Sequence, residues 1–163
     1  MTPEFLDAVL DGRREDAERA LGIELPDEFP SDGERRFLAL RLRQMREDER
    51  FLTWCPHAMV VDGRLIGHAG YHGPPGSNAA EAADAVEFGY TVLEPYRGRG
   101  YATDAARRLM EMAEERGGID HFVLSVSPTN EPSLAIVHKL GFVKTGEHID
   151  EEDGLEHVFE LHR

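Results

Sequence analysis

The sequence predicts an α/β fold in which a mixed, mostly antiparallel, twisted sheet is flanked by helices. Three observations predict it. At 163 residues, 40% hydrophobic and 31% charged, the chain suits one domain, 1–163, with a sizeable core. Asp62-Gly63 separates two apolar runs, as a hairpin turn does. Beyond Ala85 the pattern alternates strand, helix, strand, helix, which makes one crossover join parallel neighbours.

Thr2 and Pro3 cap and open a first helix, and Phe5, Leu6, Val9 and Leu10 share its face until Asp11-Gly12 stops it. A second short helix runs from Arg13 to Leu21 and ends at Gly22. The proline-broken "LPDEFPSDG" leads to a longer helix from about Glu34 to Asp48. Its Phe37, Leu38, Leu40, Leu42 and Met45 form an apolar stripe, and Arg35, Arg36, Arg41, Arg43 and Arg46 read as a solvated face paired with acids. "AMVV" and "RLIGHAGYH" are the hairpin arms, "GPPGSNAAEAADA" is a flexible loop and "VEFGYTV" is a strand. A helix from about Gly100 to Arg116 carries Ala102, Ala105, Ala106, Leu109, Met110 and Ala113 at helical spacing. "HFVLSV" is a strand. The last helix has Asn130 near its cap, Pro132 in its first turn and Gly141 past its end. "FVKTG" and "LEHVFEL" are strands around the acidic turn "DEEDG".

Eighteen basic against thirty-two acidic residues give a formal charge of −14, which repels nucleic acid and anionic membranes and favours the approach of a cation such as an amine. Cys55 is the only cysteine, so no internal disulfide and no cysteine metal cluster is expected, as in a reducing cytoplasm. The N-terminus lacks the pattern of a signal peptide, and no apolar stretch reaches the length of a membrane span. A cytoplasmic protein is expected.

The tightest cluster of backbone freedom and positive charge is "EPYRGRGYATDA", between a strand and a helix. Thr103 stands where the dinucleotide fingerprint needs glycine, and the Walker pattern fails as well. What remains is unencumbered amides at a helix N-terminus beside two guanidiniums, either a cradle for a pyrophosphate or a structural turn.

Arg97-x-x-Gly100-x-Ala102 matches the Q/R-x-x-G-x-G/A signature of the GNAT acyltransferases, and "VEFGYTVLEPYRGRGYATDAARRLM" resembles the strand and helix that carry it. "SVSPTNEPSLAIVHKLGFVKTGE" resembles the next strand, helix and strand of that superfamily, especially the ribosomal-protein N-terminal acetyltransferase branch. The resemblance runs from about Ala58 to Leu161, with a weaker match in the N-terminal helices. It implies a sheet splayed between two central parallel strands, with acetyl-CoA as acyl donor. By the same resemblance the amides of Arg99, Gly100, Tyr101, Ala102 and Thr103, in a loop shaped by Arg97 and Gly98, hold the pyrophosphate. Val92 and Leu93 pair with the pantetheine arm as an added strand does. The Val92 amide faces the developing oxyanion, and Asn130 and Ser133 contact the arm.

An amine acceptor with a lysine-like pKa is less than about 0.1% neutral at pH 7, so a base is needed. Glu87 falls where many relatives keep a working carboxylate, and burial is expected to raise its pKa; the plainer account is an exposed strand residue balancing arginine. The tyrosine that protonates the departing thiolate in many relatives is replaced here by Val137, which leaves Ser133, His138 or water. His138 otherwise reads as a surface residue. His68 and His72 share a strand face near the acceptor side and suit substrate lining or proton relay; the plainer account is core or surface histidines. As a metal pair they fail, being about 13 Å apart along a strand, and no metal is expected. Trp54, Tyr71, Phe88 and Tyr90 read as packing residues, with Trp54 also placed to face the acceptor.

The resemblance therefore implies an N-acetyltransferase that transfers acetyl directly to a primary amine, either a small molecule or a protein N-terminus. The N-terminal helices (1–50) and the Gly73 to Asp84 loop would build the acceptor side, with a homodimer as the assembly to test. The rivals are a CoA-binding module without catalysis and a nucleotide-binding interaction domain.

Overall fold

The computed structural model describes residues 1–150 and 154–163. Three helices come first: α1 (Pro3–Leu10), α2 (Arg14–Leu21) and α3 (Asp32–Glu47), followed by the single turn α4 (Arg50–Thr53). Thr2 caps α1 through its side chain, as expected. Helix α3 starts two residues before the predicted Glu34 because Ser31 and Glu34 form a reciprocal capping box. Ser31→Ala is expected to lower unfolding stability by about 1 kcal/mol in urea titrations.

The strands are β1 (Pro56–Val61), β2 (Arg64–Tyr71), β3 (Val86–Val92), β4 (His121–Val126), β5 (Val143–Asp150) and β6 (Gly154–His162). Helix α5 (Tyr101–Gly117) connects β3 to β4, and α6 (Glu131–Leu140) follows β4. Asp62 and Gly63, with φ of 50° and 77°, turn β1 into β2 as the Asp-Gly pair predicts. Of the acidic turn expected between the last two strands, residues 151–153 lie outside the described residues.

The strand order is β1-β2-β3-β4-β6-β5, and every neighbouring pair is antiparallel except β3–β4. That parallel contact is short: Val86 pairs with Phe122 and Glu87 with Val123, and the ladder ends there. Both strands run on for several residues, so the sheet splays open between them.

One face of the sheet carries α5 and α6 over a core of Phe88, Met110, Phe122, Leu124, Val137 and Phe159. Each such side chain removed from water contributes about 1.5–3 kcal/mol, which makes this cluster the main anchor of the splayed strands. A second core packs α1 and α3 onto β2 through Phe5, Leu6, Leu38, Leu42 and Leu65. The segment expected to be a flexible loop is fastened instead. Its Ala79, Ala80 and Ala82 lie on Ala85, Val123 and Val158, and the Asn78 side chain both donates to the Ala82 carbonyl and accepts from the Ala82 amide.

The arginines of α3 are not all solvated. Arg41 is buried, donates from Nη1 to the His72 carbonyl at 2.6 Å and lies over the Phe37 ring. It thereby ties α3 to the residue that leaves β2 toward β3. Among the described residues no helix is long and apolar enough to cross a membrane.

Candidate active site

The chain leaves β3 through a 3₁₀ turn, Glu94–Tyr96, and enters α5 through Arg97–Gly100. Gly98 (φ 74°) and Gly100 (φ 89°) are both left-handed, and an added Cβ at either would meet nothing within 4 Å. The glycines are therefore required by backbone conformation and not by space. Arg97 donates its own amide to Glu94, but among the described residues the amides of Gly98, Arg99, Gly100, Tyr101, Ala102 and Thr103 have no acceptor. These six donors stand at the positive end of a seventeen-residue helix.

All of these residues except Arg99 line an open cleft of about 670 Å³, together with Val92, Arg97, Asn130 and Ser133 among others. Nine of the predicted site residues thus share one cavity. Two of the predicted cofactor-binding residues stand apart from it, as does the predicted base Glu87. The Arg99 guanidinium folds back to the Pro95 carbonyl and the Tyr96 ring. Leu93 is buried, its amide donates to Ile66 and its carbonyl accepts from Tyr96, so it has no main-chain group left for an added strand. Val92 does. In the β2–β3 ladder, bonded pairs alternate; Leu93 and Glu87 face β2, which turns the main-chain groups of Tyr90 and Val92 toward the gap. Arg97 Nε takes the Val92 carbonyl at 2.9 Å and leaves its amide pointing into the cleft.

A second cleft of about 300 Å³, lined by residues of both β3 and β4, meets the first at Tyr90, Asn130 and Ser133. His72 and Glu156 line it. Asn130 caps α6 by accepting from the Ser133 amide at 3.2 Å, which fixes both residues at the junction. The Tyr90 hydroxyl is buried there without a hydrogen-bond partner. Burial raises its pKa, and the nearby Ser133 hydroxyl partly offsets this. Tyr90 read as a packing residue in sequence; its unpaired hydroxyl is the feature that sequence could not show.

Glu87 is buried and faces away from the Phe88 core. Its Oε1 lies 3.3 Å from His72 Nδ1, and its Oε2 accepts from the Ala79 amide at 2.7 Å. Burial alone would push this carboxyl up, as the sequence suggested. The structure reverses that expectation: the His72 contact and charge, the Ser125 hydroxyl facing it and the Ala79 amide together outweigh burial and hold Glu87 at about 2. A carboxylate so stabilised is a poor acceptor for an amine proton.

The other candidates are dispersed. His68 is buried against Phe37 of α3, with ring centroids 4.8 Å apart, and lines neither cleft. Trp54 meets Tyr71 edge-on at 4.8 Å and packs on the α5 core, lining neither cleft. Val137 is wholly buried, and the cleft wall at that level is Ile136. His138 is exposed on α6 and lines neither cleft.

The strand–turn–helix with its open amides is matched by a family description, Acetyltransferase (GNAT) domain, over residues 2–143. The chain belongs to the GNAT acetyltransferase family. The match takes in the N-terminal helices, where the resemblance read from sequence was weaker. A Bacillus subtilis (strain 168) protein named "Putative ribosomal N-acetyltransferase YdaF" is 27% identical over 88 residues, 54% of this chain and 45% of that protein. The match therefore spans less than half of that curated relative. Among solved structures, the ribosomal-protein-alanine N-acetyltransferase of Brucella melitensis shares the GNAT fold at a TM-score of 0.63 and 20% identity, covering 100% of this chain and 97% of that one. The microcin C7 self-immunity acetyltransferase MccE, solved with acetyl-CoA and AMP, superposes at 0.64 with 14% identity, covering 99% and 89%.

Proposed function

We infer that this GNAT protein is an N-acetyltransferase that moves the acetyl group of acetyl-CoA directly to a primary amine, on a protein N-terminus or a small molecule. The observation that carries this reading is the row of acceptor-free amides from Gly98 to Thr103 opening on a cleft that continues through the splay to His72. The residues fit the donor. The amides of Gly98 to Thr103 suit its diphosphate, the Val92 amide and Asn130 suit its extended arm, and Tyr90 and Ser133 stand at the junction where the clefts meet. When bound, acetyl-CoA supplies an activated thioester carbonyl.

The chain's own groups then divide the work. The Val92 N–H receives negative charge that develops on an acyl oxygen. With Nδ1–H donating to the fixed Glu87 carboxylate, His72 presents Nε2 to take the amine proton from the second cleft. Glu87 acts through His72 as a positioning residue, and Arg41 holds the His72 backbone. Ser133 and Tyr90 present hydroxyls that can return a proton to a departing thiolate.

Calorimetry with acetyl-CoA, followed by an amine screen read by mass spectrometry, tests the reading. Saturable binding with turnover of at least one amine supports it; binding without turnover of any amine would mark a non-catalytic CoA module, and preference for ATP or NAD would mark a nucleotide-binding domain. Gly100→Ala forces a side chain into a left-handed conformation at about 1–2 kcal/mol, so acetyl-CoA affinity is expected to fall about tenfold.

A further inference from the structure

A cluster of ligating side chains lies on the β4–β6 ladder, at the end of β4 remote from the clefts. His121 and His162 are directly opposed in the ladder, with their rings stacked 3.9 Å apart at 26°. Glu160, two residues before His162 and therefore on the same face of β6, places Oε2 2.6 Å from His121 Nε2. The ligand atoms of the three residues all lie within 4.8 Å of one another. The other nitrogen of His121, Nδ1, sits 3.2 Å from Asp84 Oδ1.

We propose that His121, Glu160 and His162 form a binding site for one divalent transition-metal ion of the zinc type, with Asp84 as the outer carboxylate that orients His121. Two imidazoles and a carboxylate are a ligand set that zinc takes with its fourth position open, and imidazole favours zinc, nickel or copper over magnesium and calcium. The carboxylate on the far nitrogen is the arrangement by which metal-binding histidines are fixed in orientation. Paired strands set the backbone spacing of the three ligands, and His121 is buried. His162 is exposed, so its side chain can close the remaining separation by rotation. The ion replaces the hydrogen bond between His121 Nε2 and Glu160 Oε2, and the proton shared there leaves to solvent. Sequence spacing does not reveal this set, because its members come together only through the β4–β6 register and the turn of Asp84 into β3.

The test is zinc chloride titration of the chelator-stripped full chain by calorimetry, with cobalt(II) visible absorption as a second readout. One ion per chain is expected, with no comparable response to magnesium. His162→Ala and Glu160→Gln, both on the accessible side of the site, should each weaken zinc at least tenfold and abolish the cobalt spectrum; Asp84→Asn should weaken it about tenfold. Absence of saturable zinc binding, or full affinity retained in both His162→Ala and Glu160→Gln, overturns the site. Neither readout depends on acetyl-CoA or on any amine, so failure here leaves the acetyltransfer reading untouched.

Discussion

Replacing His72 by glutamine is expected to lower kcat by about 10²–10⁴-fold, with acetyl-CoA affinity unchanged. The reason is the division between a fixed anion and a mobile proton. Glu87 is held as a carboxylate by His72 and the Ala79 amide, whereas the His72 ring contacts Glu87 through Nδ1 and lines the second cleft, where Nε2 is the nitrogen left to meet an amine. Glu87→Gln keeps an oxygen for either the Ala79 amide or His72 but loses the charge, so a smaller fall in kcat, about tenfold, is expected, with an altered pH profile. Steady-state kinetics of both variants across pH separate the roles. A mild His72→Gln beside an inactive Glu87→Gln would return the base to Glu87 and a bridging water.

Acidification from pH 6.5 toward 4 is expected to lower the stability of the fold by a few kcal/mol, through buried histidines and not through carboxylates. His68 stacks on Phe37 with Nε2 buried and unpaired, and burial, opposed by Glu34 and reinforced by Arg41, pushes it down to about 4 from 6.5. The sign follows from proton counting: between pH 6.5 and 4 the unfolded chain takes up a proton that the folded chain refuses. Stability from this group is therefore complete above pH 6.5 and falls as the pH drops toward 4, by about 3 kcal/mol. The half-buried His57, also pushed down to about 4 by burial, the N-terminal ammonium and Arg116, adds a smaller loss in the same window. Glu87 acts lower: its contribution is whole above about pH 4.5 and disappears as the pH falls through about 2. A few kcal/mol is a large share of an ordinary domain's 5–15 kcal/mol. Urea unfolding at several pH values should show the slope, and His68→Phe should flatten it while filling the same stacked position. An unchanged slope in that variant would place the acid sensitivity elsewhere.

Much of the fold was legible because local chemistry specifies it. The Asp-Gly turn, the proline-opened helices and the caps at Thr2 and Asn130 each act within a few residues, and the structure keeps all of them. Ser31-x-x-Glu34 was equally visible as a capping box and would have set the start of α3 correctly. The conformation of the helix entrance proposed to hold a diphosphate was legible for the same reason: it is encoded in two left-handed glycines. What sequence reasoning missed depends on register between distant segments. The His72–Glu87 contact exists because those residues pair across β2 and β3, and Arg41 is buried because α3 docks where that pair begins. The lowered pKa of Glu87 arises from neighbours that the Ala79 segment brings back over the sheet, which burial alone would not predict.

Where β3 and β4 part, the proposed grip on a guest is mainly by peptide groups, which every residue type but proline carries alike. Side chains along that seam are then at liberty to drift over generations, provided the two left-handed turns before α5 survive. Such latitude lets cousins agree at only about a fifth of positions, as with the 20% match to the Brucella melitensis enzyme, and still keep one shape.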